Sequence, residues 1–200
     1  MKKLVLTLSL VGVVACSFAQ GTINFVNTPA TLISAGGVSA PGSATSQFNF
    51  AIFLAASDTV NGIGQSGPAI GTGSLFLTPN GANVNGTGAG RLANASSLAT
   101  TGGFGPGSTV DFIVRGWSAN AGATYAEALA FWNNGSPSAN MYIGQSLVGN
   151  DLVLGGGAIG ASGVMGAGAF QVGGFNLGLV PAVVVPEPSS LVLAGLGAAA

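Results

Sequence analysis

Gln47-Phe48-Asn49-Phe50-Ala51-Ile52-Phe53-Leu54 places Phe48, Phe50, Ile52 and Leu54 on one side of an extended chain and smaller or polar residues between them. Alternation with a period of two is the pattern of a half-buried strand, because successive side chains point to opposite faces of a sheet. Ser108-Thr109-Val110-Asp111-Phe112-Ile113-Val114-Arg115-Gly116-Trp117 repeats it: Val110, Phe112 and Val114 point one way, and Asp111, Ile113, Arg115 and Trp117 share the other face. Shorter candidate strands are Thr22 to Val26, Ser74 to Leu77, Met141 to Ile143, Asp151 to Leu154, Ala169 to Val172 and Phe175 to Val180. Stretches such as Thr78-Pro79-Asn80-Gly81 and Gly103-Phe104-Gly105-Pro106-Gly107 between them have the composition of turns. Eight short strands punctuated in this way predict an all-β fold, an antiparallel β-sandwich or jelly roll.

One helix interrupts the strands, near 125–132. Thr124-Tyr125-Ala126-Glu127 has the form of a capping box, and Tyr125, Leu129 and Trp132 then fall on one apolar face. Asn133-Asn134-Gly135 ends it. Glu127 therefore has a structural task, which argues against a catalytic one.

Composition excludes much chemistry. The chain has no histidine, and its single cysteine is Cys16. Ser-His-Asp and Cys-His catalysis need an imidazole base. Zinc, copper and haem sites draw on His or Cys. No cofactor and no metal are expected. From Gln20 onward, Arg91 and Arg115 stand against Asp58, Asp111, Glu127, Asp151 and Glu187, a net charge of −3. Two arginines are too few to neutralise a nucleic-acid backbone or to hold an anionic membrane surface. The surface must be wetted by Asn, Ser, Thr and Gln, which suits an extracellular protein near polysaccharide. With no disulfide, the body must rely on its hydrophobic core, and residues 20–180 are long enough for one domain.

Both ends carry sorting patterns. Met1-Lys2-Lys3 is a basic start, Leu4 to Ala15 an uncharged apolar run, and Ser17-Phe18-Ala19 supplies the small residues that a signal peptidase reads. Residues 1–19 thus read as a signal peptide cleaved between Ala19 and Gln20. A competing pattern is Val13-Val14-Ala15-Cys16, which resembles a lipobox and would make Cys16 an acylated lipoprotein anchor. At the other end, Val185-Pro186-Glu187-Pro188-Ser189 precedes an apolar run from Leu191. Proline lacks the N–H donor and fixes φ, so this triplet reads as a stiff spacer rather than helix or central strand. Residues 181–200 form this linker and tail.

That ending resembles the PEP-CTERM sorting signal of exported proteins from Gram-negative, biofilm-forming bacteria. The resemblance covers Val185 to Ala200. It implies transient membrane association through the tail and recognition at Pro-Glu-Pro by an exosortase, a membrane cysteine peptidase, after a signal peptidase has acted at the front. The family's tail is usually a full span closed by arginines. Leu191 to Ala200 as a helix would rise only ~15 Å, about half of a ~30 Å hydrocarbon core. Ala19-Gln20-Gly21-Thr22-Ile23-Asn24-Phe25, Val114-Arg115-Gly116-Trp117-Ser118 and Gly174-Phe175-Asn176-Leu177 further resemble a cluster of PEP-CTERM proteins of the Verrucomicrobia type. That likeness implies a secreted β-rich body and brings no activity with it.

Three functions remain in view. The expected one is a non-catalytic exported surface or matrix protein, located in the cell envelope or extracellular space and associated with exopolysaccharide. The second is a glycan-binding module whose candidate contact is Asp111, Arg115 and Trp117. The plainer account of those residues is an ion pair two pleats apart, with Trp117 covering a sheet edge. A glycoside hydrolase would need two carboxylates about 5 to 9.5 Å apart, and the body offers only Asp58, Asp111, Glu127 and Asp151. Asp58 and Asp151 have the surroundings of turn residues, and neither stands in the dense acidic loop that calcium requires. The glycine runs at Gly86 to Gly90 and Gly155 to Gly157 lack the Gly-Lys-Ser/Thr of a phosphate loop. Asn85-Gly86-Thr87, Asn94-Ala95-Ser96 and Asn134-Gly135-Ser136 match the N-glycosylation pattern and, in a bacterial protein, mark exposed turns.

Overall fold

In the computed structural model, residues 20–39, 47–59, 79–84, 88–93, 95–101, 103–134 and 140–180 are described. The two stretches of strict alternation pair with each other. Strand β4 (Phe48–Ala56) runs antiparallel to β7 (Thr109–Ser118), from Phe48 opposite Ser118 to Ala56 opposite Val110. Before and between them come β1 (Thr22–Asn24), β2 (Ser34–Ala35), β3 (Val38–Ser39), β5 (Pro79–Val84) and β6 (Leu98–Ala99). After β7 follow a 3-10 turn at Ala119–Ala121, helix α1 (Tyr125–Asn134), β8 (Tyr142–Gln145), β9 (Gly149–Val153), β10 (Ser162–Gly163) and β11 (Asn176–Leu179). The large sheet has the order β3-β2-β11-β8-β7-β4-β5, with β9 also paired to β7, and a small sheet has the order β10-β1-β6. The fold is the expected all-β sandwich, jelly-roll-like, with one helix.

The two faces of the β4–β7 pair bury different things. Phe48, Phe50, Ile52 and Leu54 join Val110, Phe112 and Val114 against Ile23, Phe25, Leu154 and Val164, on or beside the small sheet. On the opposite face, Ala51, Phe53, Ile113 and Trp117 pack with Tyr125 and Ala128 of α1 and with Met141, Ile143 and Val180. A half-buried strand was the expectation; α1 covers the second face, so both strands are interior on both sides. The helix starts as its sequence requires. The Thr124 N–H donates to Glu127 Oε2 at 3.0 Å, and the Glu127 N–H donates to Thr124 Oγ1 at 3.3 Å, so each residue satisfies an orphan donor of the first turn.

Glycine has a packing role at two cross-strand pairs. A Cβ on Gly116 would come 2.6 Å from the ring of Phe50 opposite it, and one on Gly149 would come 2.2 Å from the ring of Phe112. Each ring lies over a bare backbone, the arrangement by which an aromatic compensates for a glycine in a sheet.

Two short-strand expectations change. Thr78-Pro79-Asn80-Gly81 was expected as a turn, yet Pro79–Val84 is a strand against β4. It ends the order of the large sheet, where proline's missing N–H costs no ladder bond. Ala169 to Val172 was expected as a strand, but Ala169 and Phe170 form a turn and Val172 makes only an isolated bridge to Met165. Ser74 to Leu77 lies outside the described residues.

Candidate functional site

Strand β7 brings Asp111, Arg115 and Trp117 onto one face, as the alternation requires, and α1 then packs over its Arg115 and Trp117 end. Asp111 is 0 % exposed, Trp117 3 % and Arg115 4 %. These three residues therefore stand in the interior, and Trp117 does not cover an edge, since β7 is flanked by β4 and β8.

Arg115 is held by rings. Its guanidinium carbon sits 4.6 Å from the centroid of Phe53 and 4.9 Å from that of Tyr125, and its Nε donates to Gln145 Oε1 at 3.2 Å. Such stacking stabilises a desolvated cation by about 2 kcal/mol. Burial pulls the Arg115 pKa below its ordinary value, and Tyr125 acts in the opposite sense. Burial likewise raises the Tyr125 phenol, offset in part by the guanidinium. Tyr125 meets Phe53 edge-on at 5.0 Å and Trp117 at 5.7 Å, and its hydroxyl is buried without a hydrogen-bond partner. Trp117 Nε1 and Asn49 Nδ2 both donate to the Gly122 carbonyl, at 3.0 and 3.1 Å.

Beside this cluster lies a cavity of about 480 Å³, bordered by Asn49, Ala51, Val84, Trp117, Thr124 and Tyr125 among others. Of the three residues proposed for glycan contact, only Trp117 borders it. Its walls are largely apolar, and the Trp117 N–H and one Asn49 N–H are already engaged with Gly122. Such a space takes an apolar guest more readily than a sugar, whose hydroxyls all need partners.

The carboxylates separate by role. Glu127 is the capping group of α1, and its pKa lies below the ordinary value because the backbone N–H groups of Thr124 and Ala123 donate to it. Asp58 lies in a turn after β4 with φ 61°. Asp151 also has a positive φ, 56°, but it stands in β9 at a bulge where Asn150 and Asp151 together oppose Asp111. The bulge brings Asp151 to Asp111, whose Oδ1 accepts the Asp151 N–H at 3.4 Å. No spacing in the sequence points to this pairing, since the two are forty positions apart. With Asp111 wholly enclosed, the pair does not present two carboxylates to a glycosidic bond. Among the described residues no group of three His, Cys, Asp or Glu could hold a metal ion. The sorting residues Val185 to Ser189, the cleavage residue Ala19 and Cys16 lie outside the described residues, and Gln20 is the first described residue.

No family model, curated protein or solved structure matches this chain. Among the described residues no helix is long and apolar enough to cross a membrane.

Proposed function

We propose that this chain is an exported, non-catalytic surface or matrix protein of a Gram-negative bacterium. In this reading it is sorted through Val185-Pro186-Glu187-Pro188-Ser189 and then held in exopolysaccharide. The observation that carries the reading is the sequence Val185-Pro186-Glu187-Pro188-Ser189 directly before the apolar run from Leu191. Strand β11 ends at Leu179, and the Val180 N–H still donates to the Met141 carbonyl at 2.7 Å. Pro186 follows Val180 by six positions in the sequence, a stretch that spans at most about 20 Å when fully extended.

The placement of the charged side chains supports a non-catalytic body. Arg115, Asp111 and Glu127 all have structural partners, and those partners account for their placement without a substrate. Signal peptidase and an exosortase-like peptidase are the processing partners in this reading, and membrane association through the tail is transient.

Mass spectrometry of terminal peptides, on protein recovered separately from the envelope and the medium of the native host, tests the proposal. The expected result is a start at Gln20 and an end between Pro186 and Ser189. An acylated Cys16 with an intact tail would replace sorting at Pro-Glu-Pro by a lipoprotein anchor. A glycan-binding role is the second reading, and a surface groove away from the Arg115 cluster favours it.

A further inference from the structure

We infer that the groove between β9 and the segment 162–171 binds a short stretch of neutral polysaccharide. The inference rests on the proposed residence in exopolysaccharide and names the surface that makes the contact. The groove has a volume of about 360 Å³ and is lined by Asp151, Val153, Ser162, Phe170 and Gln171, together with adjoining backbone. That volume is at the low end for ligand pockets, which run from about 300 to 1,000 Å³. It suits a short sugar segment.

The lining has the two chemistries that a sugar needs. Phe170 is 49 % exposed, the one aromatic among the exposed large hydrophobic residues described. An open ring offers its π-face to the C–H face of a pyranose, an apolar surface with weakly positive hydrogens. Around it stand groups that exchange hydrogen bonds with hydroxyls. Asp151 Oδ1 accepts from Ser57 Oγ at 2.9 Å, and a carboxylate with about four lone-pair sites keeps further acceptor capacity. Ser162 Oγ donates to the Val153 carbonyl at 2.6 Å, which leaves its own lone pairs.

These groups are also held in place. The bulge that gives Asp151 its positive φ is tied to buried Asp111, so the carboxylate is carried on a fixed backbone. A non-glycine residue in that region stores strain, of the kind found at ligand sites. Gln171 Nε2 donates to the Gly163 carbonyl at 3.2 Å, and its Oε1 accepts the Gly168 N–H at 2.9 Å. The amide sits close over glycines 163, 166 and 168, where a Cβ would lie 2.7, 2.0 and 2.9 Å from it and the side chain would have to swing aside. One amide N–H and one lone pair remain for a ligand.

Charge selects among polysaccharides. The groove is lined by a carboxylate and by no Lys or Arg, so an acidic polymer is repelled and a neutral one is not.

The test is isothermal titration of the full chain with neutral hexasaccharides of glucose (β-1,3 and β-1,4), mannose and N-acetylglucosamine, beside an acidic oligogalacturonate. One or more neutral probes should bind. Phe170→Ala should weaken that binding at least tenfold and Asp151→Asn at least fivefold, whereas Phe170→Tyr, which keeps a ring, should retain it. Thermal melting of each variant separates loss of binding from loss of fold. Preference for the acidic probe, absence of any neutral binder, or neutral binding undiminished in both Phe170→Ala and Asp151→Asn would overturn the inference. Sedimentation with the host's own exopolysaccharide distinguishes the levels. Variants that still cosediment remove only the groove, and a wild-type chain that never cosediments removes the matrix reading itself.

Discussion

The same two strands bury a purely apolar face toward the small sheet and a mixed face toward α1. Toward the small sheet the contacts are Phe, Ile, Val and Leu filling space left by Gly116 and Gly149. Toward α1, a guanidinium lies between two rings, and an indole N–H and an amide share one carbonyl. The first face would be stabilising in any arrangement that keeps it dry. The second is acceptable only when α1 is docked, because burying Arg115 without Tyr125 and Gln145 would cost far more than it returns. The difference teaches that hydrophobic burial forms the sandwich, while the polar face fixes where the helix sits.

The apolar face should be the more damaging one to break. Phe112 is fully buried and covers Gly149, so Phe112→Ala removes a large side chain and uncovers a backbone at once. The expected loss is about 3–5 kcal/mol, the range for a buried Phe cut to Ala. Urea denaturation of the two proteins checks it. A loss below about 1 kcal/mol would mean that this core collapses around the gap and that the contrast between the faces is overdrawn.

The helix-side face sharpens the comparison through Arg115. Arg115→Ala removes both the stacking on Phe53 and Tyr125 and the packing of the side-chain stem, an expected loss of about 2 kcal/mol or somewhat more. Arg115→Met keeps most of the volume and drops the charge, so it should recover part of that loss. Near-ultraviolet circular dichroism of the Trp117–Tyr125 pair supplies a second readout. Unfolding free energy close to wild type in Arg115→Ala, with an unchanged aromatic spectrum, would deny the guanidinium any part in seating α1.

How far the sequence discloses these faces depends on range. Alternation in 47–54 and 108–117 is a local signal, and it marked both central strands and their side-chain partition. The capping box at Thr124 and Glu127 is equally local, and both of its hydrogen bonds form. Burial of Asp111, Arg115 and Trp117 was not legible, because it depends on α1 folding back over the Arg115 and Trp117 end and on β9 pairing at Asp111, tertiary events without a trace in period-two spacing. Pro79–Val84 misleads for a related reason: Pro-Asn-Gly has turn composition, and only its place at the end of the large sheet lets it be a strand. The groove at Phe170 left one faint sign, a lone aromatic directly after the Gly-Ala run from Gly166 to Ala169. Its partner Asp151 joins it through a bulge whose register no local pattern encodes.

The smallest expected effect is at the rim of the helix-side face, where Glu127 caps α1. Its pKa lies below the ordinary value because backbone N–H groups of Thr124 and Ala123 donate to the carboxylate. A group whose pKa is depressed by folding stabilises the fold above its unfolded pKa, and that contribution disappears as pH falls through the folded value. The relevant window therefore opens near the ordinary carboxylate pKa of 4.5 and extends downward. Glu127→Gln keeps a capping side chain and removes the charge. Its melting temperature should lie slightly below wild type near pH 7, and the gap should close as pH falls below the ordinary carboxylate range and through the depressed folded value. A gap that stays constant with pH would assign the effect to side-chain geometry and leave the charge at the helix start without influence on how α1 closes the polar face.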